Sequence, residues 1–176
     1  LELLMHEFEL INKYFSKLSN KSKASLNLKD DVFFDKTNKL VISVDTYVEG
    51  NHFFNFKNPD LVIKKIIRSS ISDLICKGVK PKYYFLSGSG SRKVFTKNNL
   101  TKITKSLKEE QKKYNIILGG GDTLYSNKLS FTVTSIGFSN KIIYRNRSKI
   151  NDDIYVTGNL GDSFLGLLIL KKKIKL

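Results

Sequence analysis

The acidic residues of this chain are few and unusually placed. It holds 16 Asp and Glu against 31 Lys and Arg. Asp30 and Asp31 stand together in a turn before an apolar run, and Asp45 follows a run of alternating apolar residues. Asp73 interrupts the apolar stripe of a helix, and Asp122 follows three consecutive glycines. Carboxylates that end separate elements are suited to Mg²⁺, which takes oxygen ligands, keeps part of its water shell and bridges phosphates. The glycines point the same way. Gly119, Gly120 and Gly121 follow the apolar run "NIIL", where glycine weakens a strand unless another group must approach the backbone or φ must turn positive. Bare backbone N–H groups there can face a phosphate while Asp122 supplies a metal ligand. Taken alone, each aspartate reads as a turn or cap residue, and a Gly-Gly-Gly-Asp run is a weak signal. Asp73 is more demanding, because a carboxylate among Ile71, Leu74 and Ile75 is costly to bury without a cation or donor beside it.

The elements that must position these residues follow from periodicity. Phe8, Ile11, Phe15 and Leu18 recur at helical spacing within 6–18, which predicts an amphipathic first helix. A polar loop over 19–27 follows. Leu40, Ile42 and Val44 alternate with Val41, Ser43 and Asp45, which predicts a strand that runs into a turn at "EGNHFF". Asn58, Pro59 and Asp60 start a long helix whose apolar positions, from Val62 to Ile75, continue to Gly78. "KYYFLSG" predicts a strand. Thr96 is placed to cap a lysine-rich helix with Leu100, Ile103, Leu107 and Tyr114 on its inner face. "NIIL", "KLSFTVTSIGF" and "DDIYVTG" predict three more strands, the second with Phe131, Val133 and Ile136 against its Ser and Thr residues. A helix over 161–171 presents Phe164, Leu165, Leu167, Leu168 and Leu170 with little chain after it to cover them, so a further domain is expected. The fold class is α+β, a mixed sheet flanked by helices.

Composition limits the function. With 40% hydrophobic residues in 176, the chain has enough apolar side chain for a core. No apolar run approaches a membrane span, and the start is unlike a signal peptide, so a cytoplasmic protein is expected. The single cysteine, Cys76, excludes an internal disulfide and a thiolate cluster, and its helical apolar surroundings predict a buried small side chain. The net charge of +15 raises the question of nucleic acid. The excess is spread along the chain as 27 Lys against 4 Arg, whereas base readout favours Arg forks. Solvated lysine faces are the expectation, with no specific nucleic acid and no membrane partner.

In order along the chain, Asp30-Asp31, "SVDTYVEGNHFF" from Ser43, "SSISDLICKGVKP" from Ser69, "GGGDT" from Gly119, "LSFTVTSIGF" and "RNRSKINDDIYVTGNLGDSFLGL" from Arg145 resemble thiamine-monophosphate kinase. That family belongs to the aminoimidazole ribonucleotide synthetase-like ATP-binding superfamily. The resemblance implies an ATP- and Mg²⁺-binding amino-terminal domain over 1–144 and the start of a second α/β domain over 145–176. It also implies transfer of the γ-phosphoryl group of ATP to thiamine monophosphate, with Mg²⁺ as cofactor and ATP as co-substrate. Such chemistry rests on positioning and charge neutralisation, not on a protein nucleophile. By resemblance, Asp31, Ser43, Asp45, Asp73 and Asp122 are metal ligands, Gly121, Asp122 and Arg145 meet ATP, and His52 contacts the thiamine phosphate. A homodimer joined through its amino-terminal sheets is implied too. The chain departs from the family pattern at Lys29, where glycine is usual, at Val44, where a hydroxyl is common, and in "RNRSK", where Arg147 competes with Arg145.

Overall fold

Alternation of apolar and hydroxyl side chains sets the strands. In the computed structural model, which describes residues 5–175, β1 (Phe33–Asp35), β2 (Leu40–Val48), β3 (Pro81–Gly90), β4 (Ile117–Tyr125) and β5 (Ser130–Phe138) form one sheet. Its order is β1-β2-β5-β3-β4. β3 and β4 run parallel and the other neighbours antiparallel, so the sheet is mixed. Val41, Ser43, Asp45 and Tyr47 lie on one face of β2, and the even-numbered residues lie on the other. On β5, Phe131, Val133 and Ser135 share the inward face, while Ile136 stands on the opposite side from the one its apolar character predicts.

Two long helices cover the inward face. α3 (Pro59–Cys76) begins with a proline, whose missing N–H is no loss in a first turn, and with Asp60, which favours the positive end of the helix. It buries Val62, Ile63, Ile66, Ile67, Ile71 and Leu74. α4 (Lys97–Tyr114) is capped as expected. The Thr96 hydroxyl accepts from the Asn99 N–H at 3.3 Å, and the helix ends on Asn115 in the left-handed region. Its inner face holds Ile103 and Leu107 but also Glu110. The Arg68 guanidinium grips that carboxylate through two hydrogen bonds of 2.8 and 2.7 Å, a charge-assisted fork. Leu100 lies toward solvent instead, one turn too early to meet α3. Both helices share a core with Tyr47, Tyr84, Phe131 and Val133 of the sheet.

Other expectations are corrected. The first helix is broken into α1 (Glu7–Leu10), a π turn over Ile11–Phe15 and α2 (Ser16–Ser19), and none of its residues is buried. Its stripe borders an open cleft instead of a closed core, with Ile11 and Phe15 on the wall and Leu18 in solvent. Part of the segment expected as a loop forms 3₁₀ turns within Lys23–Leu28, kinked where Leu26 and Asn27 enter the left-handed region. Cys76 is exposed. With Leu74 fixed inward, a residue two positions on lies about 200° around the helix, so the surrounding apolar letters misled. "DDIYVTG" forms no strand, since no other described segment pairs with it and Ile154 is 93% exposed; a strand without a neighbour has no stability of its own.

The chain divides into two compact units at Tyr144/Arg145. The second holds α5 (Asp162–Leu170), which starts after Gly161 at φ +94° and buries no residue. Among the described residues no helix is long and apolar enough to cross a membrane.

Candidate functional site

The inward face of β2, the last turns of α3 and the turn before β1 bring four of the singled-out residues together. Ser43 is 3% exposed, and its hydroxyl donates to Asp73 Oδ2 at 2.8 Å. Asp73 is only partly buried, with Ile75 exposed rather than packed around it, and this bond supplies its donor partner. Asp45 lies two residues along the same strand face, where its Oδ2 accepts from the Tyr47 hydroxyl at 3.2 Å. Burial, and after it the Asp73 carboxylate, hold the Asp45 carboxyl above the usual range; the Tyr47 bond opposes them and Asp31 adds to the rise. Asp31 is thus near enough for its charge to be felt, at the edge of a cleft of about 390 Å³ that Ser43 also lines. Burial first, with Asp45 and Asp73 behind it, pushes the Tyr47 hydroxyl up to about 12, so Tyr47 stays a proton donor at neutral pH.

His52 borders this group. In the turn after β2 its Nδ1 accepts from the Val48 N–H at 3.0 Å, and its ring meets Tyr47 edge-on at 5.8 Å. Nδ1 is therefore occupied, and Nε2 is left to donate to an anion. Lys65 donates to the His52 carbonyl from α3.

Asp122 is not brought to this cluster. The register aligns Thr46 with Thr132, Thr132 with Ser87 and Ser87 with Asp122. Three strand spacings, about 14 Å, separate the ends of that row. The row lies on the open face of the sheet, opposite Ser43 and Asp45. There Asp122 Oδ1 accepts the Thr123 N–H at 2.8 Å. Its glycines have a local reason. A Cβ on Gly121 would stand 1.8 Å from the Leu86 carbonyl oxygen. Gly120 has φ +150°, a backbone that side-chain-bearing residues seldom adopt. Gly121 is thus demanded by the packing of β4 on β3, whatever else its backbone faces. Arg145 opens the second unit and is exposed.

Two residues that the sequence reading did not single out belong to the site. Tyr47 is two residues beyond Asp45 on one strand face, and Lys77 is four beyond Asp73 at the end of α3; both spacings are signals of a shared side. The Lys77 ammonium lies 2.5 Å from Asp30 Oδ1 and 3.5 Å from Asp31 Oδ2.

The donors are all oxygens, which fits Mg²⁺ better than a soft metal. Among the described residues no three carboxyl or imidazole groups close around a single point. That suits an ion held by one or two carboxylates with water and phosphate completing its shell. Asp45, with Asp73 and Ser43 beside it and Asp31 across the cleft, is the group that would hold it.

Comparison with known proteins shows the family and the fold. Residues 28–139 match the family described as AIR synthase related protein, N-terminal domain. The chain is 39% identical over 176 residues to the thiamine-monophosphate kinase of Buchnera aphidicola subsp. Acyrthosiphon pisum, covering 96% of this chain and 53% of that protein. With the Haemophilus influenzae thiamine-monophosphate kinase it is 36% identical over 171 residues, 94% of this chain and 51% of that one. A solved structure of AaThiL complexed with AMPPCP and TMP superposes with a TM-score of 0.82 at 27% identity, over 97% of this chain and 54% of that one. The chain spans about half the length of the curated relatives it matches. With the family match running from the residue before Lys29 through the whole sheet to the residue after Phe138, the chain belongs to the AIR synthase related family and carries its N-terminal domain.

Proposed function

We propose that the chain is the amino-terminal part of a thiamine-monophosphate kinase, which passes the γ-phosphoryl group of ATP to the phosphate of thiamine monophosphate in the cytoplasm. The observation that carries this reading is the gathering of Asp31, Ser43, Asp45 and Asp73 on one side of β2 in a chain 39% identical to such a kinase. Two phosphate groups repel, so their reaction needs neutralised charge and fixed geometry. In this reading Mg²⁺ held by these oxygens supplies the neutralisation. Ser43 keeps the Asp73 carboxylate in place and Tyr47 orients Asp45. His52 offers Nε2 to the thiamine phosphate. Gly121, Asp122 and Arg145 meet the nucleotide, with Asp122 serving an ion from the open face of the sheet.

The test is phosphorylation of thiamine monophosphate by ATP in the full-length protein. Asp45→Asn and Asp122→Asn are each expected to lower the rate by ~100-fold or more. Wild-type rates in either variant would remove that residue from the metal set. Activity on another phosphate acceptor with none on thiamine monophosphate would assign the protein to a different member of the superfamily.

The open face also supports a homodimer as part of this proposal. Val44, Phe85 and Phe138 are exposed on it, an apolar patch that a second sheet would cover. Sedimentation should give a dimer that Val44→Lys together with Phe138→Lys converts to monomer; a monomeric wild type would end the idea.

A further inference from the structure

We propose that Lys77 is a positioning residue that acts as a tethered cation, taking the place a further divalent ion would otherwise hold between Asp30 and Asp31. The inference builds on the reading of the acidic cluster as a cation site. Its own ground is the ammonium group and its setting. Lys77 is 5% exposed, and the Asp30 side chain beside it 7%. A lysine so deeply buried is uncommon and requires a partner of opposite charge. Here it has two, Asp30 at 2.5 Å and Asp31 at 3.5 Å.

Its position is fixed from several directions. The Lys77 N–H donates to the Leu74 carbonyl at 3.0 Å, and the Lys77 carbonyl accepts from the Ile143 N–H at 3.1 Å. The residue closes α3, where the negative end of the helix dipole favours a cation. Asp30 Oδ1 also accepts the Asp31 N–H at 2.8 Å, so the oxygen that meets the ammonium shapes the turn that aims Asp31. Lys77 thereby sets the direction of Asp31 and offsets the charge of Asp30, leaving the mobile cation to Asp45, Asp73 and the Asp31 that it aims.

Replacing Lys77 with methionine keeps an unbranched side chain, one atom shorter, and removes its charge. Two carboxylates then share a partly buried turn, an arrangement that favours a divalent ion. The experiment uses Mn²⁺ as the probe, counted by electron paramagnetic resonance on the full-length protein, with thermal melts in chelator and in millimolar Mn²⁺. Lys77→Met is expected to melt roughly 10 °C below wild type in chelator, to recover most of that loss in Mn²⁺, and to bind one more Mn²⁺ per chain. Lys77→Arg keeps a cation and should keep the wild-type count. Adding Asp30→Asn to Lys77→Met should abolish the extra ion.

Equal Mn²⁺ counts in wild type and Lys77→Met would overturn the proposal, as would a loss of stability that Mn²⁺ does not recover or a variant that fails to fold in both buffers. The broader cation reading fails separately, if wild type binds no Mn²⁺ and Asp45→Asn changes nothing. An ion gained by Lys77→Met would still be read against that zero.

Discussion

The two faces of the sheet carry the same chemistry at different burial. On the helix-covered face Ser70 and Ser135 share a hydrogen bond of 2.9 Å with both residues fully buried. On the open face Thr46 and Thr132 share one of the same length in contact with solvent. Asp45 and Asp122 repeat the contrast. Asp45 is half-buried among other acids, and its carboxyl is displaced from its ordinary behaviour, whereas Asp122 lies on an exposed edge strand. Desolvation, more than residue type, separates an acidic side chain whose titration is displaced by its neighbours from one that lies at the solvent-exposed edge of the same sheet.

The largest expected effect comes from glycines in the two settings. A Cβ on Gly137, in central β5, would stand 2.7 Å from Val79 Cγ1 and 2.8 Å from the Lys80 carbonyl oxygen. Neither neighbour can retreat, because β5 is paired on both sides. Gly137→Ala is expected to cost about 3 kcal/mol or more in chemical denaturation. Gly121→Ala meets a worse clash, but on an edge strand that can lift away from β3. Its cost should appear as faster amide exchange confined to β4, with global stability changed by less than ~1 kcal/mol. Equal global losses would show that the edge is as constrained as the centre.

This contrast also sets what was legible in the sequence. The strands of 40–48 and 130–138 and the helix of 59–76 follow from periodicity, because one face of each is held against a core. The Thr96 cap is likewise local chemistry. The first helix and the "DDIYVTG" segment show the right periodicities without the neighbours that would hold them, and periodicity says nothing about neighbours. Asp31, Ser43, Asp45 and Asp73 were legible as a set through family resemblance. Their spacing alone gave no distance between them. The displacement of Asp122 to the other face was hidden, since it depends on the parallel register of β4 with β3. Lys77 was hidden among 27 lysines whose other members mostly face solvent.

The two hydroxyl pairs give a smaller effect and a cleaner comparison. Ser70→Ala strands the Ser135 hydroxyl where water does not reach, which should cost about 2 kcal/mol. Thr46→Val leaves the Thr132 hydroxyl free to bond water, so a change below ~0.5 kcal/mol is expected by the same denaturation measurement. If a second copy of the chain covers the open face, the Thr46 value should rise with protein concentration while the Ser70 value does not. The concentration series therefore tests the dimer as well as the effect of burial.

The smallest effect concerns Asp45 and has a sign that burial dictates. The folded chain holds the Asp45 proton more tightly than the unfolded chain, whose carboxyl titrates near the ordinary 3.8. Within the window above that value the native state binds more protons, so stability falls as pH rises through the elevated native value. Below both values the contribution vanishes; at pH 7 the ionised carboxylate carries the full cost of burial and of the Asp73 charge. In chelator, Asp45→Asn should therefore raise the melting temperature by roughly 2–4 °C at pH 7, with little gain at pH 3.5. The size is modest because the side chain is only half-buried and water screens part of the repulsion. Millimolar Mg²⁺ should erase the difference by stabilising the wild type and not the variant. A variant less stable than wild type at pH 7 in chelator would mean that Asp45 is held by its Tyr47 bond more than it is strained by its neighbours, and that this carboxylate is not waiting for a cation.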